Sequence, residues 1–343
     1  MSASPPASPL LRAIRRLALG ETLETSDVTD AFELVMAGEA TAAQIAALLI
    51  GLRVKGETSG EVAGVAQAMR RAMITLPADD PQSLVDTCGT GGGSIATFNI
   101  STAAALVAAG AGVRVAKHGN RSFTTQCGSA DVLEALGVSI DVAPERMARA
   151  LREAGIVFMF APLMHPAIRH VGPVRRELGV PTVMNIVGPL ANPAMAGRQV
   201  VGVADEPRVA LIAGALRQLG TSHALVVHGS GMDEISPIGK TQVIEIRGDS
   251  VREWEISPDR FGFSATADEL AGGTPQRNAE IVRQVLAGHA NRGATAAVVL
   301  NAAAAIYVAG LAGDFDGGVE QARAVVASGG GLAALDRLRS ALS

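Results

Sequence analysis

The sequence predicts an α/β protein: a small N-terminal all-helical domain, then a large α/β domain with a central, mostly parallel sheet flanked by helices. Three observations predict it. The first eighty residues carry only helical periodicity. From Leu84 onward, short apolar runs of strand length alternate with helical stretches. No repeat of fixed period interrupts that alternation. Strands separated by helices pair in parallel and bury both faces of their sheet.

Residues 1–9 are rich in Ser, Pro and Ala and lack the basic and apolar regions of a signal peptide, so they read as a disordered tail. Leu10 to Leu19 is an amphipathic, basic helix. Thr25, Ser26 and Asp27 offer caps for a helix carrying Val28, Ala31, Phe32 and Val35 and ending near Gly38. A further helix starts at Thr41 with Ile45, Leu48, Leu49 and Leu52 on one face. Ser59 opens the next, with Val62, Val65, Ala66 and Met69. These elements define a helical domain over 10–80, onto which the Pro173–Pro193 segment packs. The α/β domain then comprises 81–172 and 194–343.

In that second domain Leu84 to Cys88 reads as a strand, and Ser101 begins an Ala-rich helix to about Gly110. Val113 to Ala116 is a second strand, followed by a polar loop and a helix from Ser129. Later strands are expected at 155–160, 199–203, 224–228 and 242–246. Residues 294–313 carry no charge. Their Ala-rich composition and Asn301 favour a buried helix over a membrane span.

With 343 residues the chain buries a core without staples, and its two cysteines fit a reducing, cytoplasmic setting. A formal net charge of -4 and 3% aromatics give no footprint for nucleic acid or an anionic membrane.

The chemistry concentrates in a few segments. Asp86 to Thr102 (DTCGTGGGSIATFNIST) sends a strand into a glycine turn and then a helix opened by Ser101 and Thr102. Glycines expose backbone N–H groups to an anion, and hydroxyls add donors at the positive end of a helix. That suits phosphate or diphosphate; a plain tight turn is the bland alternative. Neither a P-loop nor a dinucleotide fingerprint fits, because Ser94 stands where the latter needs a small glycine-like residue. Lys117 to Ser129 (KHGNRSFTTQCGS) delivers two cations and several hydroxyls from a strand end, as a diphosphate would need. The alternative is a solvated polar turn. Asp233-Glu234 is a carboxylate pair suited to Mg²⁺ beside substrate phosphates, or else an ordinary surface turn. His165 precedes Pro166, and Arg175 offers a guanidinium for a carboxylate.

Taken together these segments resemble the anthranilate phosphoribosyltransferase family. The resemblance runs through AGEATAAQIAALLIGLRVKGET at 37–58, GTGG at 89–92, NIST at 99–102 and KHGNR at 117–121. It continues through GSADVLEALG at 128–137, FAPLMHPA at 160–167, VRRELGVPT at 174–182, NIVGPLANP at 185–193 and MDEI at 232–235. It implies an enzyme of tryptophan biosynthesis. Such an enzyme transfers the 5-phosphoribosyl group from phosphoribosyl pyrophosphate to anthranilate, with Mg²⁺ and as a homodimer through the helical domain. The resemblance places the donor on Gly89, Thr90, Gly91, Gly92, Gly93, Thr97, Asn99, Ile100, Ser101 and Thr102. It adds Lys117, His118, Gly119, Asn120, Arg121, Ser122, Phe123, Thr124, Thr125 and Ser129. Anthranilate falls to Gly89, His118, Asn120, Pro162 and Arg175, and Mg²⁺ to Ser101, Asp233 and Glu234. No residue is required as a strong general base; Lys117, Asn120 and Arg175 matter most, through positioning and charge. One departure stands out: the family reads GTGGD, whereas position 93 here is Gly, which predicts weaker Mg²⁺ coupling at this loop. Two rival readings remain at this stage, a nucleoside phosphorylase of the same architecture and a non-catalytic relative that binds nucleic acid.

Overall fold

The computed structural model describes residues 8–122 and 126–343. The expected tail therefore lies almost wholly outside the described residues, as do Phe123, Thr124 and Thr125. Ser8 already belongs to the folded chain: its Oγ accepts the Leu11 N–H at 3.3 Å and caps the first helix.

Four helices open the chain: α1 (Pro9–Ala18), α2 (Thr25–Met36), α3 (Ala42–Lys55) and α4 (Ser59–Ala72). Thr41 and Thr58 start α3 and α4 through capping boxes with Gln44 and Glu61, each worth about 1 kcal/mol. At α2 the cap is Glu24, without a side-chain bond, and Thr25-Ser26-Asp27 form the first helical turn instead. Asp27 pairs at the surface with Arg16, whose Nη1 lies 2.6 Å from its Oδ2.

The α/β part holds seven strands: β1 (Val85–Gly89), β2 (Val115–Gly119), β3 (Ile156–Phe160), β4 (Arg198–Gly202), β5 (His223–Gly229), β6 (Thr241–Arg247) and β7 (Ser250–Ile256). Their order is β3-β2-β1-β4-β5-β6-β7. The pairings from β3 through β5 are parallel, and β6 and β7 join antiparallel. β7 was not expected from sequence. Ser250, Val251, Arg252 and Glu253 are all exposed, so it lacks the apolar alternation that marks a half-buried strand.

The remaining helices are α5 (Ile100–Gly110), α6 (Ser129–Ala135), α7 (Pro144–Ala154), α8 (Ala161–Met164), α9 (Gly172–Leu178), α10 (Val209–Gln218), α11 (Ala267–Leu270), α12 (Pro275–Leu286), α13 (Arg292–Ala309), α14 (Phe315–Ser328) and α15 (Gly330–Leu342). Strand alternation feeds two cores. Val200, Leu225 and Val227 join α5 and α13 on one face. Val201, Ala224 and Val226 join α10 and the four opening helices on the other. The opening helices thus share a core with the sheet. Val174, Val183, Ile186 and Leu190 belong to that same core, and Arg70 Nε donates to the Leu190 carbonyl at 2.8 Å. α13, long and apolar enough to cross a membrane, is packed inside the protein with 83% of its apolar window buried.

Candidate active site

The sheet order reverses between β1 and β4, since the chain winds outward from β1 to β3 and then returns to the other side of β1. In open parallel sheets the crevice beyond the strand ends at such a reversal is where ligands bind. Here that crevice receives the glycine loop from β1 and the Asp233-Glu234 turn that follows β5.

The glycine loop is folded by its own amides. Thr90 N–H donates to Gly202 O at 2.9 Å, and Ser94 N–H to Gly231 O at 2.9 Å. Gly91 N–H donates to Asp233 Oδ2 at 2.7 Å. Gly91 and Gly92 have φ of 71° and 84°, the left-handed region that side chains resist. Among the described residues the N–H groups of Gly92 and Gly93 have no acceptor, and neither do those of Ile95, Ala96 and Thr97, so several loop amides are available to an anion.

Glu234 approaches from the same turn and takes the Ser101 N–H on Oε1 at 3.1 Å, at the positive end of α5. Burial, then the neighbouring Asp233 charge, pushes the Glu234 carboxyl up to about 8. Burial also raises Asp233. Two acids whose ionised forms are both disfavoured make a place that gains from a cation. The available ligands are hard oxygens, and among the described residues no third Asp, Glu, His or Cys joins them into a cluster. That set fits Mg²⁺, which keeps waters and phosphate oxygens as ligands, better than a metal held in an all-protein cage.

Lys117 and His118 lie inside β2, not in the loop expected after it. Lys117 is only 3% exposed. Its Nζ donates to Thr87 O and reaches Ser101 Oγ at 3.3 Å, tying β1 to α5 beneath the glycine loop. Burial lowers its pKa against the pull of Asp86, Cys88, Glu234 and Asp233. His118 and His165 face each other with ring centroids 4.9 Å apart. Burial drives them down to about 3 and about 4, so both are neutral, and the Nε2 of each has no partner among the described residues.

The loop after β2 is tied at its base. Asn120 O accepts Ser129 Oγ at 3.2 Å, and Asp131 Oδ2 accepts Gly128 N–H at 2.8 Å. Arg121 is engaged by Asp131 and Glu134, both at 2.6 Å, and stacks over Phe160. It holds the loop's base, and in this state it offers no free cation to a phosphate. The side chains of Ile100 and Thr102 are buried, the first in the apolar core. Asn99 is held from behind, where Asn278 Nδ2 donates to Asn99 Oδ1 at 2.9 Å, and Thr97 stands two residues before it on the same segment. Gly119 must be glycine because a Cβ there would strike Ser129 Oγ and the Phe158 ring. Pro162 is exposed at the first turn of α8, just past β3. Arg175, half-buried on α9, has no carboxylate partner among the described residues, and burial lowers its pKa. No hydrogen bond among the described residues joins Pro162 or Arg175 to the glycine-loop cluster.

Three supporting residues escaped the sequence reading: Asp86, Asn192 and Asn278. All are buried and hold site segments without facing them. Asp86 interrupts an apolar strand just before the glycines, the one local signal for it.

Comparison with known proteins decides the family. Residues 81–332 match the glycosyl transferase family, a/b domain, and residues 11–73 match its helical bundle domain. The anthranilate phosphoribosyltransferase of Rubrobacter xylanophilus is 52% identical over 330 residues, covering 96% of each chain. The chain belongs to the anthranilate phosphoribosyltransferase family. Another anthranilate phosphoribosyltransferase, from Roseiflexus castenholzii, is 49% identical over 96% of this chain and 97% of its own. Among solved structures, that of anthranilate phosphoribosyltransferase from Thermus thermophilus superposes with a TM-score of 0.91 at 42% identity, over 96% of this chain and 99% of that one. The Saccharomyces cerevisiae anthranilate phosphoribosyltransferase in complex with PRPP and Mg does so with a TM-score of 0.88 at 26% identity, over 97% of each chain. The fold class expected from sequence is that of the family: a helical bundle and an α/β domain with a largely parallel sheet.

Proposed function

We propose that this chain transfers the 5-phosphoribosyl group of phosphoribosyl pyrophosphate to anthranilate, releasing pyrophosphate. One observation carries the reading more than any other. The Asp233-Glu234 turn is hydrogen-bonded to both the glycine loop and the N-terminus of α5, which supports a reading in which a carboxylate pair for Mg²⁺ and an anion cradle share one crevice. The identity of 52% to a relative named for this activity supports it.

In this reading the donor's diphosphate lies against glycine-loop amides such as those of Gly92 and Gly93, with Asn120 and Ser129 beside it. Asp233, Glu234 and the Ser101 hydroxyl hold Mg²⁺. The ion supplies positive charge to the departing pyrophosphate. Lys117 adds its charge from below the loop. Arg175 on α9 binds the anthranilate carboxylate. Neutral His118 and His165, each with an unpartnered Nε2, line the acceptor's side of the site, where His118, Asn120 and Pro162 are expected. The anthranilate amine is a free nucleophile, so the protein has no strong base to supply. Its work is alignment, worth up to about 7–11 kcal/mol of barrier, and electrostatic stabilisation of the leaving group.

We place the domain division at 10–80 with 173–193 against 81–172 with 194–343, the homodimer contact on the helical domain, and the enzyme in the cytoplasm. A pyrophosphate-release assay tests the activity. One pyrophosphate is expected per anthranilate consumed, and steady pyrophosphate release without acceptor would overturn the reading.

A further inference from the structure

α13 is apolar from Ala296 to Ile306 except at Asn301, which is 3% exposed. A buried amide without partners costs about 1–3 kcal/mol, so its presence there needs a cause. Its partners supply one. Asn301 Oδ1 accepts the Ile235 N–H at 2.9 Å, while Nδ2 donates to Ile235 O and to Ala297 O, both at 2.9 Å. The side chain pairs with the Ile235 peptide from both sides, as a neighbouring strand would.

Ile235 directly follows Glu234. The preceding residue is equally constrained: a Cβ at Gly202 would collide with the Asp233 carbonyl, and one at Gly89 with the Asp233 carboxylate. The turn is therefore pressed on two glycine strand ends and held from α13 by one amide. Asn301, Glu234 and Ser101 also line the same small internal cavity. Thr241 Oγ1 accepts the next N–H, that of Ser236, at 2.9 Å; among the described residues no side chain but Asn301 bonds the 234–235 peptide itself, so without the clamp Glu234 would lose its aim at the N-terminus of α5.

We propose that Asn301 is a positioning residue for the Asp233-Glu234 pair, holding both carboxylates where they can bind Mg²⁺ beside the donor diphosphate. The proposal rests on the metal role assigned to that pair above. It assigns Asn301 no contact with substrate or metal.

The test compares wild type, Asn301→Ala, Asn301→Ser and the Asp233→Ala/Glu234→Ala double variant by two readouts. One is the Mg²⁺ dependence of the rate; the other is Mn²⁺ binding followed by electron paramagnetic resonance in the presence of pyrophosphate. Asn301→Ala is expected to weaken both metal constants by about tenfold or more, with the anthranilate KM changed less than about twofold. Asn301→Ser keeps one neutral hydroxyl at the clamp without adding a buried charge, and is expected to weaken the metal constants less. It serves as the reading if the Ala variant does not fold. In the double-variant background, removing Asn301 should add no further loss of Mn²⁺ binding. Unchanged metal constants in a folded Asn301 variant, with only a lower melting temperature, would overturn the proposal. If the double variant itself leaves the metal constants unmoved, it is the metal assignment that fails.

Discussion

Asn192 donates its amide to Asp86 at 2.7 Å, with both side chains buried. The same amide reaches Ala116 O at 2.8 Å, and Asp86 Oδ1 accepts the His118 N–H at 3.1 Å. This contact fastens the end of the 188–193 segment to β1 and β2, directly below the residues that carry the site. Burial raises the Asp86 carboxyl to about 6, opposed by Lys117 and Asn192.

Asn192→Ala leaves that carboxylate with one donor fewer and frees Ala116 O as well. We expect a loss of about 2–4 kcal/mol in unfolding free energy, read from urea denaturation. A loss below about 0.5 kcal/mol would mean that the contact contributes only geometry.

The buried histidines set the acid limb of stability. In the unfolded chain they titrate near 6.5, whereas the fold holds His118 near 3 and His165 near 4. Below pH ~6.5 the unfolded state therefore takes up protons that the native state refuses, and stability falls as pH drops toward 4. Asp86, raised instead, contributes in the opposite sense between about 4 and 6. Comparing wild type with His165→Phe isolates one histidine. The variant's stability should depend less steeply on pH below 6, by up to about 1.4 kcal/mol per pH unit. Parallel curves would contradict the assignment of a neutral His165.

Arg175→Ala removes a guanidinium on α9 that has no carboxylate partner among the described residues. The expected outcome is an anthranilate KM raised about 10- to 100-fold with little change in kcat, as for a charged hydrogen bond made equally in ground and transition states. Unaltered anthranilate kinetics would place the carboxylate clamp elsewhere.

Gly93→Asp restores the acid that the family usually carries after GTGG. A Cβ at 93 lies 3.0 Å from Gly231 O, so the 230–232 turn has to yield by a few tenths of an ångström. We expect the Mg²⁺ concentration for half-maximal rate to fall. An unchanged magnesium titration would show that this loop position does not couple to the metal.

Much of this was legible in the chain itself. Thr41 announces its helix, Ser59 stands one residue inside the helix that Thr58 caps, and the runs at 84–88, 155–160 and 199–203 mark three strands to within a residue. The glycine loop and Asp233-Glu234 could be named because their composition is unusual. β7 was hidden because its residues face solvent and its pairing, not its pattern, makes it a strand. Lys117 and His118 looked like loop residues because polarity predicts exposure, yet Thr87 and Ser101 receive the Lys117 ammonium, while the His118 ring packs against His165 and its backbone N–H goes to Asp86. Asn301 served only to argue against a membrane span. Its bond to Ile235 joins positions 66 residues apart, a relation that no local pattern encodes.

The most direct test is the fluorescence of anthranilate itself, followed with purified protein. Anthranilate should disappear only when phosphoribosyl pyrophosphate and Mg²⁺ are both present, and consumption should collapse in the Asp233→Ala/Glu234→Ala variant. Consumption without donor, or undiminished turnover in that variant, would contradict the account of a single crevice in which carboxylates, glycine-loop amides and the α9 arginine act together.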